Sequence, residues 1–171
     1  MIKNVIDEKI ELISKELKLP YISKSFKADI QEANKDNKTY DLFLYELLEK
    51  EYDLRTENGK KNRIRNARFP YKKHIEDLVI EDLPEDARNK VKAVSSLEFI
   101  ETGQNIILAG NPGTGKTHMA IGIGVKACSA GYKVLFTTIP LLVNELKESR
   151  SDKTLRTFEK RFEKYDLIIA D

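Results

Sequence analysis

The sequence predicts an α/β fold: a phosphate-binding P-loop module, an incomplete parallel sheet with flanking helices, preceded by a small all-helical N-terminal domain. Three observations carry this. First, Gly110-Asn111-Pro112-Gly113-Thr114-Gly115-Lys116-Thr117 meets the spacing G-x-x-x-x-G-K-[ST] in full. Second, apolar runs at 105–109, 133–137 and 167–170 alternate with helical patterns, which implies parallel strands joined by right-handed crossovers. Third, the first third of the chain has helical periodicity and no strand pattern.

The N-terminal part reads as three helices. Ile6, Ile10, Ile13 and Leu17 share one face, and Leu19-Pro20 stops that helix. Tyr21, Ile22, Phe26, Ile30 and Ala33 mark a second, short helix, and Asn34 to Lys38 a turn. Thr39 is placed as the N-cap of a third helix. Its stripe of Tyr40, Phe43, Leu44, Leu47, Leu48 and Tyr52 is expected to be bundle core, with a partner-binding groove as the alternative. Gly59 is expected to kink or end that helix, and Phe69-Pro70 to end whatever follows.

Between Gly59 and His74 the chain turns basic. Lys60, Lys61, Arg63, Arg65, Arg68, Lys72 and Lys73 occur without an acid, and Lys61, Arg65 and Arg68 are predicted to share a helical face. Such a stripe attracts a phosphate backbone; the alternative is a solvated helix face. From Ile75 to Asp86 the chain is acidic instead. The expected organisation is therefore a helical domain over 1–74, an acidic linker over 75–84, and the nucleotide module over 85–171.

Pro84 suits the start of a helix running from Glu85 to about Glu101, with Val91, Val94, Leu97 and Ile100 inward and Gly103 as its stop. The strand at 105–109 leads into the P-loop, whose glycines let successive N–H groups point inward around an anion. The following helix adds its N-terminal N–H groups and dipole. Gly110, Asn111, Pro112, Gly113, Thr114, Gly115, Lys116 and Thr117 are the candidate nucleotide-binding residues. Lys116 is placed on the β- and γ-phosphates and Thr117 on Mg²⁺. His118 is either a further nucleotide contact or a helix-surface residue. After Gly131 and the strand 133–137, Pro140 opens a helix with Leu142, Val143 and Leu146. Another carries Leu155, Phe158 and Phe162. The last strand, Leu167-Ile168-Ile169-Ala170, ends in Asp171. Its predicted role is the second metal-site residue, emerging at the strand's C-terminal edge beside the P-loop.

Composition excludes several classes. The chain has 171 residues, 40% hydrophobic and 34% charged, with a formal net charge of +2, so the total charge names no partner. Its one cysteine, Cys128, allows neither a disulfide framework nor a cysteine zinc site. No apolar run is long enough for a membrane span, and the N-terminus lacks a signal-peptide pattern. A cytoplasmic setting is the expectation.

These pieces resemble the AAA+ ATPases and, within them, the IstB-like transposition helper proteins encoded by insertion sequences. The resemblance spans nearly the whole chain. It rests on Leu17-Lys18-Leu19-Pro20-Tyr21-Ile22, on Ala67-Arg68-Phe69-Pro70-Tyr71, on Leu97 to Glu101 continuing through Lys116-Thr117-His118, and on Gly131 to Thr138. It implies an N-terminal domain engaging double-stranded DNA and an AAA+ module binding ATP with Mg²⁺. It also implies self-assembly of the full-length parent into oligomers on DNA, and recruitment of the transposase of the same insertion sequence. The family places a catalytic glutamate immediately after the position of Asp171, followed by further strands, sensor residues and an arginine finger. None lies within these 171 residues. The expectation is a fragment, truncated after the metal-site aspartate, that lacks hydrolysis while its parent is an ATPase. A related helicase loader of the DnaC-like group, and a non-catalytic relic that still binds DNA or transposase, are the alternatives.

Overall fold

Glu51, in the middle of the longest helix, organises the N-terminal unit. The computed structural model describes residues 2–73, 75 and 85–171, and among them the chain divides into two compact units, Met1–Gly59 and Lys60–Asp171. In the first, α1 (Ile2–Glu16) is followed by α2 (Ile22–Lys35) and most of α3 (Tyr40–Asn66), whose residues 60–66 belong to the second. A helix leaves its first N–H groups without intrahelical partners. At α2 no residue of its own caps them. Instead the Glu51 carboxylate, reaching from α3, accepts from the N–H groups of Tyr21 at 2.9 Å and Ile22 at 3.0 Å on the single oxygen Oε2. Glu51 is 4% exposed. Asp29, also buried, accepts from Lys50 Nζ at 2.7 Å and from the Tyr21 hydroxyl at 3.2 Å. Phe26 and Ile22 complete the buried set of α2.

Glu51→Ala is therefore expected to destabilise this unit by about 1–2 kcal/mol, the usual cost of losing a helix cap. Glu51→Gln should lose less, because one amide oxygen can still accept from both N–H groups. Urea unfolding followed by circular dichroism separates them; equal losses would show that charge, not acceptance, matters.

Two expectations for this unit are corrected. The face Ile6, Ile13 and Leu17 is not buried, nor is the row Tyr40, Leu44, Leu48 and Tyr52 of α3; all are exposed, while Ile10, Phe43 and Leu47 are half-buried. Three helices alone do not cover every apolar stripe, and here polar bonds through Glu51 and Asp29 take part of the joining role. Nor does Gly59 end α3, which continues to Asn66. Asp41 helps start that helix: its carboxyl is held below the usual carboxylate range by the Thr39 hydroxyl and by the backbone N–H groups of Asp41 and Leu42.

The second unit is built around α6 (Lys116–Ala130). Before it come α4 (Glu85–Ser95) and α5 (Glu98–Glu101). A single helix was expected here, but Leu97 takes a left-handed conformation (φ 66°) between the two. That turn lets Leu97 bury itself beside Val91. After α6 follow β1 (Val134–Thr137), α7 (Ile139–Ser151), α8 (Leu155–Phe162) and β2 (Leu167–Ala170). The two strands pair in parallel, Val134 with Leu167 through Thr137 with Ala170. β1 is buried throughout. β2 is half-buried on one face, through Leu167 and Ile169, and open on the other.

The other edge of β1 is covered by the turn after α3: the Phe136 N–H donates to the Ala67 carbonyl at 2.8 Å. Phe69 stacks edge-on against Phe136, ring centroids 6.2 Å apart. The expected strand at 105–109 does not form. A strand needs a hydrogen-bonded neighbour, and among the described residues this stretch has none; Ile107 is 89% exposed. The core of the unit joins Ala67, Ile75, Val91, Ile123, Ala127 and Val134. Cys128 lies within it, and burial pushes its thiol up to about 11. Apart from Ile75, the acidic stretch 75–84, with Pro84, lies outside the described residues, as does His74.

Candidate nucleotide site

Three glycines shape the loop ahead of α6. Gly110, Gly113 and Gly115 have φ of 151°, 82° and 81°, a region that side chains strain to enter. The Thr114 hydroxyl donates to the Asn111 carbonyl at 2.9 Å, folding the loop on itself. The Lys116 ammonium donates to the same carbonyl at 2.8 Å and lies 3.5 Å from Thr114 Oγ1. The lysine is thus held inside the loop rather than swung into solvent.

Asp171 reaches this loop because the sheet places it there. Its N–H donates to the Thr137 carbonyl at 3.0 Å, and its carbonyl accepts from the Ile139 N–H at 2.9 Å. The end of β2 is thereby fixed to the end of β1 and the start of α7. Its carboxylate Oδ1 accepts a 2.8 Å hydrogen bond from the Thr117 hydroxyl, across 54 residues of sequence. Lys116 and Asp171 also border a cleft of about 360 Å³. Its remaining walls are Phe99 of α5, the stretch 104–108, Ala120 and Ile123 of α6, and β2. His118 is half-buried in the first turn of α6.

The basic residues fall into two groups. Arg63 donates from Nε to the Cys128 carbonyl at 2.7 Å, a cation at the C-terminal end of α6, where the helix dipole favours it. Arg65 donates to Asn62 Oδ1 at 2.9 Å. The side chains of Lys60, Lys61, Arg68, Lys72 and Lys73 make no hydrogen bond or ion pair with the described residues, and all but Lys60 are exposed. Arg68 does not share a helical face with Lys61 and Arg65. α3 stops at Asn66, and Arg68 sits in the turn beyond it at φ 63°. Sequence periodicity missed this because nothing in residues 60–68 marks the stop; the bond from Phe136 to Ala67 is a tertiary one.

Two further features escaped sequence reasoning: Glu51 as a cap supplied by another helix, and Ala67 as the cover of a sheet edge. The first had no signal. The second had only the Phe-Pro pair that ends the preceding helix.

Residues 13–171 match the family model described as IstB-like ATP binding protein. The chain is 34% identical over 146 residues to a protein of Pseudomonas aeruginosa named as an ATP-binding protein of insertion sequence IS21, covering 85% of this chain and 55% of that one. It is 34% identical over 157 residues to one of Geobacillus stearothermophilus named for insertion sequence IS5376, covering 90% and 62%. A Sinorhizobium fredii protein, likewise named for an insertion sequence and ATP binding, is 28% identical over 172 residues, covering 99% and 58%. The chain therefore spans between about half and two thirds of the length of these relatives. Among the described residues no helix is long and apolar enough to cross a membrane.

Proposed function

The chain belongs to the IstB-like ATP binding protein family, and from that premise we propose that residues 110–117, with Asp171, bind ATP as its magnesium complex in the service of DNA transposition. The observation that carries this reading is the 2.8 Å contact between Thr117 Oγ1 and Asp171 Oδ1. A hydroxyl and a carboxylate side by side are hard oxygen donors of the kind Mg²⁺ takes beside nucleotide phosphates. Among the described residues no cluster of three or more His, Cys, Asp or Glu could hold a metal by itself. A cation here would thus depend on phosphate oxygens and water for its remaining ligands, as Mg²⁺ commonly does in phosphate sites.

In this reading the loop N–H groups and the Lys116 ammonium hold the β- and γ-phosphates, while Thr117 and Asp171 orient the metal and its waters. Titration with a fluorescent ATP analogue, with Mg²⁺ and with EDTA, tests it. Binding is expected to be tighter with Mg²⁺, and Asp171→Asn should narrow that difference. Affinity indifferent to both would remove the metal role.

The names of the relatives place them with insertion sequences, which favours transposition over helicase loading. Double-stranded DNA, the transposase of the element, and further copies of the full-length protein are the partners this reading implies. The DNA surface would draw on Lys60, Lys61, Arg68, Lys72 and Lys73, whose charges no acid among the described residues neutralises. Such binding should be insensitive to sequence and fall steeply with salt. Replacing Lys72 and Lys73 with alanine should flatten the plot of log affinity against log salt by about 2, near one unit per lost phosphate contact. Mobility shifts across a salt series measure it; an unchanged slope would move the DNA surface elsewhere.

A further inference from the structure

On α3, Tyr40, Leu44, Leu48 and Tyr52 recur every four residues and are 94%, 55%, 52% and 69% exposed. Residues at that spacing lie along one row of a helix. From first to last the row runs about 18 Å, or a little over three turns. Single exposed apolar residues are ordinary, but a continuous row of them marks an interaction surface. The adjoining row, one position later, is Asp41, Tyr45, Glu49 and Asp53, all exposed. The Tyr45 hydroxyl donates to the Glu49 carboxylate at 2.6 Å and holds it along the border. The Asp41 carboxyl, below its usual range, is ionised at neutral pH. Among the described residues none of the three acids is in an ion pair.

We propose that this ridge is a docking surface for a basic amphipathic helix of a partner polypeptide. The apolar stripe of that helix would pack on Tyr40, Leu44, Leu48 and Tyr52. Its lysines or arginines would meet Asp41, Glu49 and Asp53. The acidic border selects the occupant. It repels a nucleic-acid backbone, and a second copy laid antiparallel on the ridge would set acidic row beside acidic row, a like-charge penalty. The site is separate in sequence from the nucleotide loop and from the basic stretch, so it does not depend on the function proposed for them.

The test uses the full chain and a fluorescein-labelled Leu/Lys peptide of about 18 residues, its leucines on one helical face. A peptide of the same composition with its leucines scattered is the control. Fluorescence anisotropy should show the amphipathic peptide binding at least about 10-fold more tightly than the control. Leu44→Asp with Leu48→Asp should remove about 10-fold or more of that affinity, and Asp41→Asn with Asp53→Asn should reduce its salt dependence. Should the leucine variant fail to fold by circular dichroism, Tyr40→Ser with Tyr52→Ser, at the most exposed positions, decides. Equal binding of both peptides, or binding unmoved by the variants, would overturn the proposal. So would a duplex DNA whose affinity for the protein the tyrosine variant lowers, or a dimer in sedimentation that this variant dissolves.

Discussion

Lys116→Ala is expected to weaken binding of magnesium–ATP by about 10- to 100-fold while leaving the fold intact. The magnitude follows from what the ammonium does in each state. In the structure it donates to the Asn111 carbonyl at 2.8 Å, an ion–dipole contact at an exposed loop. In the proposed complex that contact would be exchanged for phosphate oxygens carrying full charge. Charge-assisted hydrogen bonds contribute about 1.5–3 kcal/mol, and each 1.4 kcal/mol is tenfold in affinity. Lys116→Arg should also lose affinity, because a planar fork does not fit where a compact point charge sits between the Asn111 carbonyl and the Thr114 hydroxyl. The measurement is the same nucleotide titration, with urea unfolding as the control for stability. An alanine variant that binds as the parent does would sink the assignment of the loop as the phosphate site. Because Lys116 makes no contact in the core, a large loss of stability in this variant would also contradict the geometry.

The legibility of the two halves of this site differs for a physical reason. The loop was readable because its requirements are local. Three left-handed glycines, a lysine and a threonine follow from backbone sterics and phosphate chemistry within eight residues. The position of Asp171 was readable because a parallel strand delivers the residue that follows it to the C-terminal edge of the sheet. What was not readable depended on which surfaces find a neighbour. The stripe of Ile6, Ile13 and Leu17 has the same periodicity whether covered or open, and the structure leaves it open. Residues 105–109 have strand composition, but composition supplies no partner strand. Leu97 carries no turn chemistry, yet the helix breaks there, with Leu97 left-handed and its side chain buried. Glu51 reads as one acid among many on α3. Its capping role exists only once α2 is packed beside it.

Gly122→Ala is the substitution in which two opposing effects of known size meet, and the structure decides between them. Gly122 lies in the interior of α6. Exchanging a mid-helix glycine for alanine ordinarily stabilises by about 1 kcal/mol, since alanine loses less backbone entropy. At this position an added Cβ would stand 2.9 Å from both the Cα and the N of Ile75. These are backbone atoms, so no rotamer change relieves the contact. Either α6 or the segment at Ile75 must move, and both are in the buried core of the unit. Overpacking of this kind costs about 1–3 kcal/mol and sometimes more. The clash should therefore outweigh the propensity gain, giving net destabilisation of up to about 2 kcal/mol by urea unfolding. Gly124→Ala provides the internal comparison. Its Cβ would meet the Ile169 Cδ1 and the Phe69 ring at 2.8 Å. Those are side-chain atoms, so part of the strain can be relieved by rotation, and the loss should be smaller. If Gly122→Ala were stabilising, the approach of Ile75 to α6 would be wrong. Ile75 would then have no place in the core, and the bare face of α6 would need another cover.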